Sequence, residues 1–203
     1  MDKRKSVLRE YVEAIVIALV LAMFVRSFVV QAFKIPSGSM EPTLLIGDHI
    51  LVNKFIYGIS LPFSPRKPFA WKKPGRGDVI VFIYPIDESK DFIKRVIGVG
   101  GDRIEIRQKK IYINGQPFKD VYGHYQESNP SSSYIQFKNN LGPIVVPSDS
   151  LFVMGDNRDR SYDSRFWGFV KLNMVKGKAF IIYWSWGGFL RDIRWGRMGK
   201  IIH

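Results

Sequence analysis

An apolar segment after residue 10 constrains the fold of this chain more than any other feature. Residues 11–33 read YVEAIVIALVLAMFVRSFVVQAF, with an uninterrupted apolar core at residues 14–25. A helix that spans a bilayer needs about 20 mostly apolar residues, so this core is short by itself. It spans if interfacial residues contribute and the Arg26 side chain extends to the headgroups. We therefore expect one transmembrane signal-anchor helix at residues 11–30.

A basic cluster precedes the apolar segment and sets its expected orientation. Lys3, Arg4, Lys5 and Arg9 all lie before residue 11. Basic residues that flank a membrane helix favour the cytoplasmic side. The sequence thus predicts a single-pass protein of the plasma or inner membrane, with residues 1–10 in the cytoplasm and residues 31–203 outside it.

Two other interpretations of the segment stay open. A basic stretch before a short apolar region also describes a cleavable secretory signal, in which Val30 and Ala32 would occupy the minus-three and minus-one positions. It is less favoured, because the apolar character continues through Phe33 and Ile35 and leaves no spacer before the serines that follow. A buried core helix also fits the length, but no second helix of comparable hydrophobicity is evident to pack against it.

The charge balance indicates an anionic partner. The 203 residues include 31 Lys and Arg against 18 Asp and Glu, a formal net charge of +13. Nucleic acid and anionic lipid headgroups attract such a chain through the same long-range field. The apolar segment favours membrane lipid, and no nucleic-acid partner is expected. Cysteine is absent, which excludes disulfides, thiol catalysis and cysteine-ligated zinc.

The pattern beyond Pro36 changes from helical to alternating, rich in Val, Ile, Phe and Tyr. Such alternation, punctuated by Gly, Pro and Asn, is typical of β-strands. Asn114-Gly115 is a strong hairpin signal, because both residues tolerate positive φ. We expect a mostly β, antiparallel domain over residues 31–203, with variable loops at 61–76 and 122–143. The candidate strands are residues 49–55, 78–84, 92–99, 103–107, 110–113, 116–118, 151–154 and 177–184.

Ser39 is the candidate nucleophile. It lies in the segment IPSGSMEPTL, for which a simple turn is the alternative interpretation. A nucleophilic serine needs a base, and the three histidines are poorly placed to supply one. His49 lies in an apolar strand, His124 in a polar loop and His203 at the last position, and no G-x-S-x-G elbow is present. A lysine base remains.

Lys94 is the candidate base. A lysine accepts a proton near neutral pH only if burial or a nearby cation lowers its pKa by several units. Lys94 lies in DFIKRVIGVGG, among apolar residues and beside Arg95. Most lysines in strands point to solvent, which is the alternative interpretation. A lysine in such an apolar strand is unusual, and it meets the requirement for a lowered pKa.

A third segment, MGDNRDRSYDSRFWG at residues 154–168, is dense in Asp, Asn, Arg and Ser. Asp156, Asp159 and Asp163 suggest a metal site, but the arginines interleaved with them would repel a cation. A loop of ion pairs and hydrogen bonds that supports a neighbouring active site is the favoured interpretation. Neither a metal nor a cofactor is expected.

These segments resemble the conserved boxes of the bacterial type I signal peptidase family, serine proteases with a Ser-Lys dyad. The matching boxes are IPSGSMEPTLLIGDHILVNKFIYG around Ser39, RGDVIVF in a strand, DFIKRVIGVGGD around Lys94 and GDNRDRSYDSRFWG in the supporting loop. Four boxes in the family's order are more specific than any one alone. The resemblance fails mainly in the two variable loops. Family members often carry a second N-terminal membrane segment, and this chain has room for one.

The resemblance implies a role for each matched residue. Ser39 would be the nucleophile and Lys94 the general base, with the Ser37 hydroxyl and the Ser39 backbone N–H forming an oxyanion hole. Ser161 would hydrogen-bond and orient Lys94. The supporting ion pairs would be formed by Asp163 with Arg165, and by Asp156 near Lys94 and Arg95.

The substrates implied by the resemblance are the signal peptides of secretory preproteins, cleaved after small residues in an Ala-x-Ala pattern. The shallow pockets for these residues would be lined by Phe33, Ile35, Met40, Leu44, Asp91, Phe92 and Ile93. Two other functions stay open. One is a soluble, repressor-like Ser-Lys protease that cleaves itself, and the other is a membrane-tethered basic β module that binds without catalysis.

Overall fold

The structure is a computed structural model that describes residues 7–58, 72–125, 139–188 and 192–203. Most of the two predicted variable loops, residues 61–71 and 126–138, lies outside the described residues. The described residues form one N-terminal helical segment followed by two antiparallel sheets.

Helix α1, Val7–Phe24, continues through a π-helical turn, Val25–Val29, directly into strand β1, Val30–Lys34. The expectation that strands begin only beyond Pro36 is therefore wrong. The extended backbone of β1 is stabilised by pairing with a later strand, which a local pattern does not reveal. In the part of the chain that the structure describes, no helix meets the combined requirement of length and hydropathy for crossing a membrane.

Among the described residues, the larger sheet contains seven strands. Lys94 lies on one of them, and Ser39 lies in the connection between the first two. Beside β1 the strands are β2 (Asp48–Asn53), β3 (Val79–Ile83), β4 (Asp91–Val99), β9 (Ser150–Met154), β10 (Val170–Lys171) and β11 (Val175–Ser185). Their order across the sheet is β1-β2-β11-β3-β4-β9-β10, and every neighbouring pair is antiparallel. β4 thus lies in the interior of the sheet, where a side chain on its inward face is removed from water.

The smaller sheet contains β5 (Arg103–Arg107), β6 (Lys110–Ile113), β7 (Gln116–Pro117) and β8 (Leu141–Val145), in the order β7-β6-β5-β8. Asn114 and Gly115 join β6 to β7 with φ of 54° and 80°, which confirms the predicted hairpin turn. Every predicted strand is present, with ends within two residues of the prediction. β8 begins inside the predicted loop 122–143, since Gly142 and Pro143 hide its strand pattern.

Three apolar clusters hold the sheets together. The first contains Ile35, Met40 and Leu44 with residues of β2 and β11. The second lies around β3, and Trp167 packs against it. The third joins Ile97 and Phe152 of the larger sheet to the isoleucines of β5 and β6, and so fixes one sheet on the other. A short helix α2, Ser164–Trp167, follows β9 and belongs to the supporting loop.

Candidate active site

Ser39 lies in a one-turn 3-10 helix, Gly38–Met40, and is only 8% exposed. Ile35 before it and Met40 after it are buried in the first apolar cluster, so the turn is anchored on both sides. The supporting loop fixes its backbone, because Asn157 N–H donates to Ser39 O at 3.1 Å and Asn157 Nδ2 donates to Gly38 O at 3.1 Å. The backbone of this segment is therefore a turn, as the alternative interpretation of the sequence expected. The turn also buries the Ser39 side chain.

Lys94 lies on β4 opposite Ile80 of β3 and is 4% exposed. Its Nζ donates to Ser39 Oγ at 2.6 Å, although 55 residues separate the two in sequence. Burial, which penalises the ammonium, lowers the pKa of Lys94 to about 8. Asp163 and Asp156 oppose this effect and Arg165 adds to it, so the charges of the supporting loop modulate the pKa of the amine.

Arg95 and Asp156 form a buried bidentate ion pair next to Lys94. Arg95 Nε and Nη2 donate to the two Asp156 carboxylate oxygens at 2.8 and 2.6 Å. Thr43 Oγ1 donates to Asp156 Oδ2 at 2.6 Å, which ties the pair to the segment after Ser39. Tyr122 stacks over the guanidinium with 3.7 Å between Arg95 Cζ and the ring centroid. The predicted proximity of Asp156 to Arg95 is therefore observed.

Asp163 and Arg165 form a second buried ion pair, with Nε to Oδ1 at 2.8 Å and Nη2 to Oδ2 at 2.9 Å. The Gly155 N–H also donates to Asp163 at 3.0 Å. Burial by itself would raise the pKa of Asp163, but Arg165 and this N–H hold it below its ordinary value. The carboxylate is thus ionised, and it contributes a negative charge near Lys94.

Gly155 allows the supporting loop to approach Ser39 closely. A Cβ at this position would overlap both the Ser39 carbonyl oxygen and Ser161 Oγ. Ser161 is therefore beside the site, as expected. Its Oγ interacts with the Asp163 carboxylate and helps to keep the pKa of that group low, and no hydrogen bond from it to Lys94 is found among the described residues.

Ser39 and Lys94 form part of the wall of an open cleft of about 600 Å³. Ser37, predicted as an oxyanion donor, is exposed and lines the cleft together with Ser39 and Lys94. The predicted pocket residues Asp91, Phe92 and Ile93 also line it. Sequence reasoning missed six further lining residues, all of which lie in the matched boxes: Pro36, Gly38, Glu41, Ile46, Arg160 and Tyr162.

Four predicted pocket residues are not on the cleft wall. Ile35, Met40 and Leu44 are at most 2% exposed and belong to the first apolar cluster, and Phe33 packs against that cluster. Their apolar character is consistent with a pocket or with a core, and only the tertiary structure separates the two. In this structure they anchor the turn that carries Ser39.

Comparison with known proteins gives a consistent assignment. The chain matches the family described as signal peptidase, peptidase S26, over residues 8–184. It is 38% identical to a signal peptidase I of Pseudomonas fluorescens, over 90% of this chain and 75% of that protein. It is 39% identical to one from Leptolyngbya laminosa, covering 90% and 82%, and 35% identical to one from Aquifex aeolicus strain VF5, covering 88% and 85%.

A solved structure of a signal peptidase I from Enterococcus faecalis V583 is 34% identical, covers 53% of this chain and 97% of its own, and has a TM-score of 0.42. The family match extends from helix α1 to β11 and includes Ser39, Lys94 and the supporting loop. This chain belongs to the signal peptidase family, peptidase S26.

Proposed function

We propose that this chain is a membrane-bound serine endopeptidase that removes signal peptides from secreted preproteins. Ser39 is the nucleophile and Lys94 is the general base. The observation that carries the proposal is the 2.6 Å contact between Lys94 Nζ and Ser39 Oγ in a buried site open to a cleft. A serine within hydrogen-bond reach of a base with a lowered pKa is the arrangement that nucleophilic catalysis requires.

The lowered pKa of Lys94 makes the amine usable as a base. With a pKa of about 8, about a tenth of the amine is neutral at pH 7. An ordinary lysine with a pKa near 10.5 would be neutral in only about 3 of 10,000 molecules. The neutral amine accepts the Ser39 proton while Oγ attacks the peptide carbonyl. The resulting ammonium then protonates the leaving amine, and neutral Lys94 activates the water that releases the acyl group.

Two donors are assigned to the oxyanion. The Ser39 backbone N–H and the Ser37 hydroxyl stabilise the negative charge on the carbonyl oxygen as the tetrahedral intermediate forms. Ser37 is accessible in the cleft, which supports this assignment. The ion pairs of Arg95 with Asp156 and of Asp163 with Arg165 are positioning elements. Within each pair the arginine and the aspartate neutralise each other's charge near Lys94. The pairs also hold the loop that contacts the Ser39 backbone.

The substrate assignment follows from family membership. Members named signal peptidase I at 35–39% identity support the removal of signal peptides from preproteins. We infer from the family resemblance that cleavage follows small residues in an Ala-x-Ala pattern. Phe92 and Ile93 give the cleft wall an apolar surface beside Lys94, which suits small apolar side chains. Secretory preproteins are therefore the proposed substrates.

The proposed topology has residues 1–10 in the cytoplasm, an anchor within residues 11–30 and a catalytic domain over residues 31–203. Exposed apolar side chains along α1 support it. Val12, Ile15, Leu19 and Met23 are 51% to 61% exposed, and a contiguous apolar surface of this kind needs an apolar partner. Because β1 starts at Val30, the anchor passes into the catalytic domain without a linker.

The test is cleavage of a secretory precursor by the detergent-solubilised full chain. The wild type should release the signal peptide, and Ser39→Ala should not, while circular dichroism shows the same fold for both. Ser148→Ala, which removes an exposed hydroxyl outside the cleft, is the matched control and should cleave normally. Substantial turnover by Ser39→Ala would exclude the mechanism, and an intact precursor with every variant would favour the non-catalytic module.

A further inference from the structure

A second concave surface, separate from the cleft, lies between the helical segment and the edge of the larger sheet. It is a groove of about 880 Å³. Its apolar wall combines Leu21 and Val25 of the helical segment with Ala32 of β1 and Leu51 of β2. None of its lining residues lines the cleft, so its occupant need not be the scissile peptide. We name this surface the anchor groove.

Two cations, Arg26 and Lys54, belong to the wall of the anchor groove. Arg26 lies in the π-helical turn, and Lys54 follows β2 directly. The Lys54 N–H donates to Val29 O at 2.9 Å, which fixes the end of β2 to the end of that turn. Among the described residues that line the groove there is no carboxylate. The groove therefore presents positive charge at one end of an apolar wall.

The electrostatics around Lys54 favour an anion. Partial burial lowers the pKa of Lys54, and the neighbouring Lys176 lowers it further by repulsion. A negatively charged ligand group near Lys54 and Arg26 would relieve both effects, because it stabilises the charged form of the amine. The apolar wall needs a different partner, since Leu21 is 60% exposed and Val25 is 40% exposed. A ligand that satisfies both requirements is amphiphilic, with an anionic head and an apolar tail.

We propose that the anchor groove binds an anionic phospholipid, with the phosphate against Arg26 and Lys54 and an acyl chain along Leu21, Val25 and Leu51. A free phosphate would contact the cations but leave the apolar wall exposed. A zwitterionic lipid would bring its own cation toward a site that already holds two. The proposal rests on the membrane anchoring in the proposed function, because lipid reaches the groove only where α1 enters a bilayer.

The experiment is a lipid titration of the full chain in a neutral detergent, with bound lipid counted by native mass spectrometry. Phosphatidylglycerol should bind at a lower concentration than phosphatidylcholine, and inorganic phosphate should not displace it. Arg26→Gln and Lys54→Gln should each weaken phosphatidylglycerol binding by about fivefold, and the double variant should abolish the preference over phosphatidylcholine. Equal binding of the two lipids by the wild type would overturn the proposal.

Lys34→Gln is the matched control, because Lys34 is an exposed cation of β1 outside the groove. If it weakens binding as much as Lys54→Gln does, the effect is general surface charge and the proposal fails. Ala22→Trp keeps both cations but fills the groove, and it should also lose the preference. Undiminished selectivity in Ala22→Trp would likewise overturn the proposal.

Precursor cleavage measured in the same detergent without added lipid separates this proposal from the proposed function. Loss of Ser39-dependent cleavage with intact lipid selectivity would overturn only the catalytic assignment. Loss of selectivity with intact cleavage would overturn only the anchor groove.

Discussion

The two sheets of the molecule bury different chemistry. In the strands of the four-stranded sheet, the buried positions are all isoleucine: Ile104, Ile106, Ile111 and Ile113. The seven-stranded sheet buries Asp48 on β2 and both Lys94 and Arg95 on β4. Both sheets are antiparallel and both pack on apolar clusters, so the fold by itself does not require buried charge.

The difference shows where the chain accepts a cost in stability for chemistry. Removing an ion from water is unfavourable by several kcal/mol unless a partner and hydrogen bonds compensate. Arg95 and Asp163 have such partners, whereas Lys94 has a neutral hydroxyl and keeps a lowered pKa instead. The buried charges of β4 and of the supporting loop therefore surround the candidate site, and the four-stranded sheet, whose described strands bury no charge, serves as an internal control.

The largest expected effect comes from Lys94→Arg. The variant keeps the positive charge, but a guanidinium stays protonated and cannot accept the Ser39 proton. Precursor cleavage should fall by about 10⁴-fold or more, measured as kcat/KM, because the dyad acts as a unit. Lys110→Arg, an exposed lysine on β6, should leave cleavage unchanged. Retained activity in Lys94→Arg would exclude lysine as the base.

The next largest effect should be on stability, in Asp163→Ala. The change leaves the Arg165 guanidinium buried without its carboxylate, and breaking such a pair by removing one partner costs about 3–5 kcal/mol. The free energy of unfolding from urea titration is the measurement. A loss below about 1 kcal/mol would mean that water or another carboxylate replaces Asp163, and that the pair does not hold the loop.

Ser37→Ala should be milder. If the Ser37 hydroxyl is one of two oxyanion donors, its loss lowers kcat by about 10²-fold and leaves the backbone N–H in place. Single-turnover kinetics with the secretory precursor measure this directly. A loss as complete as that of Ser39→Ala would mean that the two serines have exchanged roles.

The pH dependence of cleavage should follow Lys94. Only enzyme with a neutral amine is active, so kcat/KM should rise with pH through an apparent pKa of about 8 and level off above it. Phe92→Ser should move this midpoint upward, because water near the amine stabilises the ammonium. A midpoint near that of histidine that shifts in His49→Gln or His124→Gln would assign the base to a histidine.

Sequence patterns identified the candidate catalytic and supporting residues better than they identified the residues that line the cleft. The segments of Ser39, Lys94 and the supporting loop could be identified because their residue types are unusual, and the structure brings them into contact. The orientation of Ile35 and Met40 could not be predicted, because a turn has no periodicity that separates a pocket face from a core face. β1 was missed for a related reason, since its identity depends on pairing with β2.

The smallest expected effect concerns an exposed ion pair in the four-stranded sheet, which is the control in the comparison of the two sheets. Glu105 and Arg107 lie two residues apart on β5 and pair at 2.6 Å, with Arg107 largely exposed. An exposed pair gains little from its attraction, because water and salt screen it and both side chains lose conformational freedom. Glu105→Gln should therefore leave the urea midpoint within experimental error of the wild type, at low and at high salt. A clear loss of stability in this variant, comparable to that of Asp163→Ala, would show that burial is not what separates the Glu105–Arg107 pair from the Asp163–Arg165 pair.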